Sequence, residues 1–313
     1  MVNSLKKKGM VIRMKKKVKY SIADQSFRII NSLFLVIAAV IVILPLMNVV
    51  SCSLSDATAV GGGKVYLFPV GFNVKAYKML WEEDSLMTGF LNTCFYTVVG
   101  TCINIFLTVI CAYPLSRTEL YGKKWIMILF TFTMIFSGGM IPNYMLMKNI
   151  HLLNTRWVMI LPGALSVYNM IVARTFFVNT IPNELNEAAE IDGATDFQIL
   201  AKVALPLAKP ILAVLTLFYA QGHWNAYFDG FMYLTDSRLF NLQVVLRNLI
   251  ADIQNLMDSL GATADIAAGQ QAALMQDVVK YAAICFTSIP IIAVYPFVQK
   301  HFVKGVMIGA VKG

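Results

Sequence analysis

Five carboxylates, Glu184, Glu187, Glu190, Asp192 and Asp196, fall within residues 178–209, VNTIPNELNEAAEIDGATDFQILAKVALPLAK. Acids grouped in this way could hold a metal, move protons or meet the basic groups of another surface. The partners for the first two tasks are missing. The only histidines, His151, His223 and His301, lie in three separate regions, and there is no HExxH, so no metal centre is expected. Gly63-Lys64 comes closest to a phosphate-binding loop, but Thr58 and Val65 stand where a glycine and a Ser or Thr are required; no nucleotide cradle forms there. The five cysteines contain no CxxC pair and read as packing groups, with neither a disulfide frame nor a metal site. No Ser/His/Asp grouping can be assembled. Docking against a basic surface is the task left to the acids, and the chain is not expected to be an enzyme by itself.

A second group of polar residues is set among apolar ones. Gln221 and Asn225 are four apart, with Trp224, Tyr227 and Phe228 alongside, and Thr93, Thr97, Thr101, Asn104 and Thr108 recur at helical spacing. A sugar has apolar C–H faces and many hydroxyls, so its path needs aromatic rings beside amides and hydroxyls. The same residues could instead join helices by hydrogen bonds, and both readings stand at this point.

These groups must be positioned by elements suited to a bilayer. Of 313 residues, 58% are apolar and 14% charged, and the mean hydropathy is +0.66. An average soluble protein has about 25% charged residues, and a chain of this length needs such a skin. Disorder, a secreted disulfide scaffold and a nucleic-acid-binding globule are excluded, despite the net charge of +9. Six apolar stretches, 29–51, 89–113, 125–147, 157–177, 210–229 and 279–299, approach the roughly 20 residues of a membrane-crossing helix. The predicted fold class is an all-α polytopic membrane protein with six transmembrane helices.

The expected organisation is a basic cytoplasmic tail over 1–28, a first transmembrane helix over 29–51, an extracellular loop over 52–88, a membrane-embedded core over 89–299 and a cytoplasmic tail over 300–313. With the amino terminus inside, seventeen of the 26 Lys and Arg lie in inside segments, eight lie outside, and Arg174 sits near the inner end of the fourth stretch. The excess of basic residues in inside loops therefore places both termini in the cytoplasm. The outside segments 52–88 and 230–278 read as partly ordered surface loops. Val49-Val50-Ser51-Cys52 has the look of a lipoprotein cleavage box, but the apolar run before it exceeds a signal-peptide core of roughly 7–15 residues. Mid-span positions hold almost no ionisable residue, Arg174 and Asp229 lying near ends, which counts against an ion-coupled transporter.

Within 178–209, Pro182 suits the first position of a helix and Glu184 its positive end. That helix would place Leu185, Ala188, Ala189 and Asp192 on one side and end at Gly193. Thr195 and Gln198 form a capping-box signature for a second short helix carrying Phe197, Leu200 and Val203, and Leu205-Pro206 ends it. Small residues at Ala188, Ala189 and Gly193 would let another surface approach closely.

Glu187-Ala188-Ala189, three residues, Gly193, nine residues, then Val203-Ala204-Leu205-Pro206 resembles the EAA loop of ABC importer permeases, with Val where Ile is commonest. IPNELNEAAEIDGA, SGGMIPNY, HWNAYF and the closing FVKGVMIGAVKG are similar to the carbohydrate-import branch, and to its maltose-type second permease subunit over nearly the whole chain. The resemblance implies a type I importer fold in the cell membrane and a heterodimer with a second homologous permease subunit. It also implies two cytoplasmic ATPase subunits that hold ATP and Mg, an extracellular sugar-binding protein, and no cofactor on this chain. Its partners would then be these proteins and membrane lipid, with no nucleic acid. Carried over by residue, Glu187, Ala188, Ala189, Gly193, Leu205 and Pro206 would form the ATPase-coupling loop. Gln221, Trp224, Asn225, Tyr227, Phe228 and Asn104 are the candidates for an oligosaccharide path. The alternatives are a permease for another solute, such as a polyamine or amino acid, and an ion-coupled secondary transporter.

Overall fold

A computed structural model describes residues 21–262 and 266–309. Every regular element among them is helical. The chain divides into two compact units after Asn48. The first is most of α1, Ile22–Ser53, a helix of 32 residues with Pro45 inside it. It extends the expected 29–51 at both ends.

The second unit opens with the last turn of α1 and two short helices, α2 (Ala57–Gly61) and α3 (Lys75–Glu82). Backbone and serine hydrogen bonds pin this stretch: Ser51 Oγ donates to Leu67 O (2.7 Å), and Asn73 N to Leu54 O (2.8 Å). The central element is α4, Asp84–Ser116, 33 residues long. Around it run α5 (Lys123–Ile135), α6 (Met140–Asn149), α7 (Val167–Thr180), α8 (Asn183–Ile191), α9 (Asp196–Ile199) and α10 (Leu205–Leu207). They are followed by α11 (Lys209–Trp224), α12 (Tyr227–Tyr233), α13 (Leu242–Ala262) and α14 (Ile266–Gly309). Helix α4 packs against α7, α11 and α13, and α14 against α11 and α13. One core, with Met170, Ala173, Phe177, Ile199 and Leu215 nearly or wholly buried, joins α4, α7, α9 and α11. A second joins α3, α4, α13 and α14 around Leu80, Leu242 and Val279.

Three expected spans are not continuous helices. The 125–147 stretch breaks at Ser137-Gly138-Gly139, where Gly139 takes φ 87°, and its two helices meet at 111°. The 157–177 stretch starts as a single 3₁₀ turn, Arg156–Met159, and becomes an α-helix only at Val167. Pro162-Gly163 between them removes a donor and adds backbone freedom, which favours irregular chain. The 210–229 stretch ends at Trp224, with Asn225 as its cap, and α12 is a separate helix. At the other end, Leu205-Pro206 does not stop the chain's helical course. It continues for one more turn and bends by 81° into α11. Ala208 lies at the junction.

The six-helix expectation therefore meets a coarser result among the described residues. Ile22–Ser53, Asp84–Ser116 and Ala273–Ala293 are long and apolar enough to cross a membrane, and there are up to five crossings if each bent pair counts as one. Helix α7, with 14 residues, is shorter than the roughly 20 residues a span needs. The expected surface loop 230–278 is largely helical: α13 and the start of α14 pack on each other within it. The signal was present as Leu242, Val245, Leu246, Leu249 and Ile253, one apolar stripe at helical spacing, and all five enter the second core.

Candidate coupling segment and substrate path

The acid-rich segment folds as its local sequence dictates. Pro182 is the N-cap of α8, one position earlier than expected, and Glu184 lies in the first turn. Asp192 closes the helix and Gly193 follows at φ 79°. Gly193 N donates to Glu190 O and Ala194 N to Ala189 O, both at 2.9 Å. These paired bonds form a Schellman ending, which requires a left-handed residue and so favours glycine. Thr195 and Gln198 then form both bonds of a capping box at the start of α9. A π-helical turn, Leu200–Ala204, leads on to α10.

The side shared by Leu185, Ala188, Ala189 and Asp192 is not uniform in the structure. Asn186 is buried and Ala189 packs against the first core, whereas Glu187 and Ala188 are exposed. Leu185 is 44% exposed, Ile191 87% and Phe197 74%. Three large apolar side chains thus stand in solvent beside Glu184 and Glu187, on a loop whose other side is fixed. Exposed apolar patches rimmed by polar groups mark interaction surfaces. Gly193 and Pro206 are exposed, and Leu205 is half-buried at the helix bend.

What fixes the loop is Arg117, just past the end of α4, a residue that sequence reasoning missed. Its side chain is 10% exposed, and its guanidinium pairs with Glu190 of α8 and, at 3.0 Å, with Glu119. Burial would lower the Arg117 pKa, but the Glu190 hydrogen bond and the nearby Glu119 charge outweigh it and hold the guanidinium above its ordinary range. Arg174 Nε of α7 donates to Leu115 O at 2.8 Å, and the rings of Tyr113 and Phe177 meet edge-on, centroids 5.7 Å apart. The ends of α4 and α7 therefore form one base under α8. Asn186, Arg117 and Pro182 also line a cavity of about 140 Å³.

The Arg117–Glu190 pair, half open on the glutamate side, is expected to contribute between the ~1 kcal/mol of an exposed pair and the ~3–5 kcal/mol lost when a buried pair is broken. We predict that Arg117→Ala and Glu190→Ala lower thermal stability non-additively, the double variant being no less stable than Arg117→Ala alone. Strictly additive losses in a double-mutant cycle would show that the pair does not act as a unit.

The polar stripe of α4 serves mainly to join helices. Asn92 Nδ2 donates to Arg238 O and Phe240 O (2.8 and 3.0 Å), Leu242 N to Thr93 Oγ1 (2.8 Å), and Thr108 Oγ1 meets Tyr219 Oη at 2.7 Å. Asn104 is fully buried. Its Nδ2 donates to Gly163 O and Ala164 O (2.7 and 2.8 Å), and its Oδ1 lies 2.7 Å from His223 Nε2. One amide thus ties α4 to the irregular chain at 161–165 and to α11. The approach of the His223 ring is possible because α4 has Gly100 there; an added Cβ would collide with it.

The other path candidates separate into two groups. Trp224 is buried, donating Nε1–H to Thr287 O at 3.1 Å and meeting Phe90 edge-on. Gln221, Asn225 and Phe228 are exposed, and Tyr227 is half-buried and stacked on Phe231, centroids 5.7 Å apart. Gln221 and Trp224 share a cavity of about 160 Å³ with Thr97 and Pro290. That volume is below the ~300–1,000 Å³ of small-molecule sites.

Comparison with known proteins agrees with this architecture. Residues 85–308 match the family described as "Binding-protein-dependent transport system inner membrane component". The chain is 39% identical over 280 residues to the polygalacturonan/rhamnogalacturonan transport system permease protein YtcP of Bacillus subtilis, covering 90% of this chain and 96% of that one. It is 38% identical over 291 residues to protein LplC of Bacillus subtilis, covering 93% and 96%. Among solved structures, a chain of a bacterial ABC transporter that imports the acidic polysaccharide alginate superposes with a TM-score of 0.78 at 36% identity, covering 90% of this chain and 99% of that one. With its apolar membrane-length helices and this match over most of its length, the chain belongs to the family of binding-protein-dependent transport system inner membrane components and is a multi-pass permease subunit of an ABC transporter, a transport component and not an enzyme.

Proposed function

We propose that this permease imports an oligosaccharide across the cytoplasmic membrane, driven by ATP hydrolysed on two separate cytoplasmic ATPase subunits that hold ATP and Mg. The observation that carries the coupling role is the one-sidedness of the 182–199 segment. Its inner side is fixed by Arg117, Asn186 and Ile199, while Leu185, Glu187, Ile191 and Phe197 face solvent. Such a face fits the groove of an ATPase, with Glu187 as charge partner, Ala188 and Gly193 allowing close approach, and Ala189, Leu205 and Pro206 holding the loop's shape. A saccharide cargo is supported by relatives named for polygalacturonan/rhamnogalacturonan and for alginate. A second homologous permease would complete the channel, and a binding protein, on which the family's description makes transport dependent, would deliver the sugar from outside.

In this reading the spans are α1, α4, the bent pair α5–α6, α7 with the irregular chain before it, the bent pair ending in α11, and α14. Both termini lie in the cytoplasm, on the strength of the basic-residue asymmetry. Gln221, Asn225, Tyr227 and Phe228 offer amides and rings to the sugar, with Trp224 and Asn104 holding the helices behind them. The test is reconstitution. The complex of this chain, its partner permease, ATPase and binding protein should take up sugar into vesicles only with ATP inside. Uptake by this chain alone in ATP-free vesicles would overturn the proposal in favour of a secondary transporter.

A further inference from the structure

We propose that the groove between α12, α13 and α14 is a subsite for a carboxylate of an acidic, uronate-containing oligosaccharide, with Arg247 and Lys280 as its charge-bearing residues. This deepens the importer reading above and rests on it. The groove encloses about 440 Å³ and is lined by Tyr227, Gln243, Arg247, Lys280 and Thr287 over an apolar floor. Its volume falls in the ~300–1,000 Å³ range of small-molecule sites.

Arg247 is set as an anion receptor. Its guanidinium carbon lies 5.0 Å from the centroid of the Phe231 ring, and Phe231 is itself stacked on Tyr227 at an interplanar angle of 20°. The ring contact holds the head beside the groove, and Arg247 as a residue is exposed. Among the described residues its polar contact is a long one, Nη1 to Asn248 Oδ1 at 3.3 Å, and no carboxylate pairs with it. A guanidinium held over a ring keeps N–H donors free, and these form a fork that fits a carboxylate. Lys280 stands on the opposite wall, steadied by Asp277 of its own helix at 3.3 Å, with both side chains about half exposed. Two cations therefore face the groove against one carboxylate.

The rest of the lining suits a sugar ring. Gln243 Nε2 makes a long bond to Trp224 O at 3.5 Å, which leaves its carbonyl oxygen to accept from hydroxyls. The half-buried Tyr227 supplies an aromatic face. A neutral sugar needs only these last features. The added cations select for charge, and the similar solved transporter is named for an acidic polysaccharide. Both α13 and the start of α14 belong to the segment that the importer reading places outside, where cargo arrives.

The test uses the complete importer in proteoliposomes, supplied in separate assays with trigalacturonate, trimannuronate and carboxyl-reduced galactotriose. The parent should take up an acidic probe in preference to the neutral one. Arg247→Gln and Lys280→Gln should each lower the acidic-to-neutral uptake ratio about tenfold, the effect of losing one charge-assisted hydrogen bond. Arg247→Lys, which keeps the charge and loses the fork, should fall between. Co-purification of the partner subunits checks that each variant assembles. Unchanged ratios in both Gln variants, or a parent that prefers the neutral trisaccharide, would overturn this subsite while leaving the importer reading intact. A parent that moves none of the sugars and retains no ATPase would overturn both.

Discussion

Gly193→Asp is expected to lower sugar-coupled ATP hydrolysis and uptake by at least an order of magnitude, while membrane insertion and association with the partner permease persist. Gly193 sits at φ 79°, and an added Cβ there would meet no heavy atom within 4 Å. The effect must therefore come from backbone conformation and charge, with no steric clash. A non-glycine residue in the left-handed region costs about 1–2 kcal/mol, enough to change a population by a factor of about 5–30. The population at stake is the Schellman ending that sends the chain from α8 into α9 and so orients Glu187 and Ile191 together. Asp also adds a sixth carboxylate to a surface proposed to meet basic groups. Gly193→Ala separates the two causes, because Ala is strained in this conformation and carries no charge; it should show the backbone share of the loss, and Gly193→Asn, which relieves both, should retain most of the activity. Glu187→Ala, which removes one charge and leaves the fold alone, should cause a partial loss. Normal stimulated hydrolysis together with normal uptake in Gly193→Asp would show that the loop does not transmit the stroke.

Asn104→Leu is expected to destabilise the assembled permease by about 2–3 kcal/mol and lower its thermal unfolding midpoint. The substitution leaves the Gly163 and Ala164 carbonyls and the His223 ring without their amide partner. A buried polar group left unpaired costs roughly 1–3 kcal/mol. Helix-joining hydrogen bonds in membranes average nearer 0.6 kcal/mol, which holds the sum at the stated size. Because Asn104 is fully buried, the apparent KM for sugar in the surviving complex should stay close to the parent's. A variant of unchanged thermal stability with a raised KM would instead place Asn104 against the cargo.

The parts legible in the sequence were those fixed by short-range rules. The turn after α8 followed from Gly193, the start of α9 from Thr195 and Gln198, and α1 and α4 from unbroken apolar runs. Hydropathy windows failed where composition and geometry part. The 125–147 run is apolar throughout, yet Gly139 lets it bend by 111°; a window average registers the side chains and not the φ angle. The same averaging hid α13, whose apolar stripe is diluted by Gln243, Arg247, Asn248 and Asp252 on its other faces. The spacing of Leu185, Ala188 and Ala189 put them on one side of α8 but did not say which side meets the core: Leu185 and Ala188 face out, and Ala189 packs inward. Arg117 was out of reach because its partner Glu190 lies 73 residues away, and only the packing of α4 and α7 brings them together. The polar stripe of α4 was visible, but whether its amides served cargo or neighbouring helices depended on contacts of the same long range.

The central claim is that α8 and the turn at Gly193 are the surface through which an ATPase drives this permease. A photo-crosslinking benzoylphenylalanine placed at Glu187 in the complete importer, activated in native membranes, tests it most directly. Crosslinking to the ATPase subunit, changing in yield when ATP and sugar-loaded binding protein are added, is the predicted result. A transport-competent complex in which position 187 crosslinks only to lipid or to the external binding protein would contradict it.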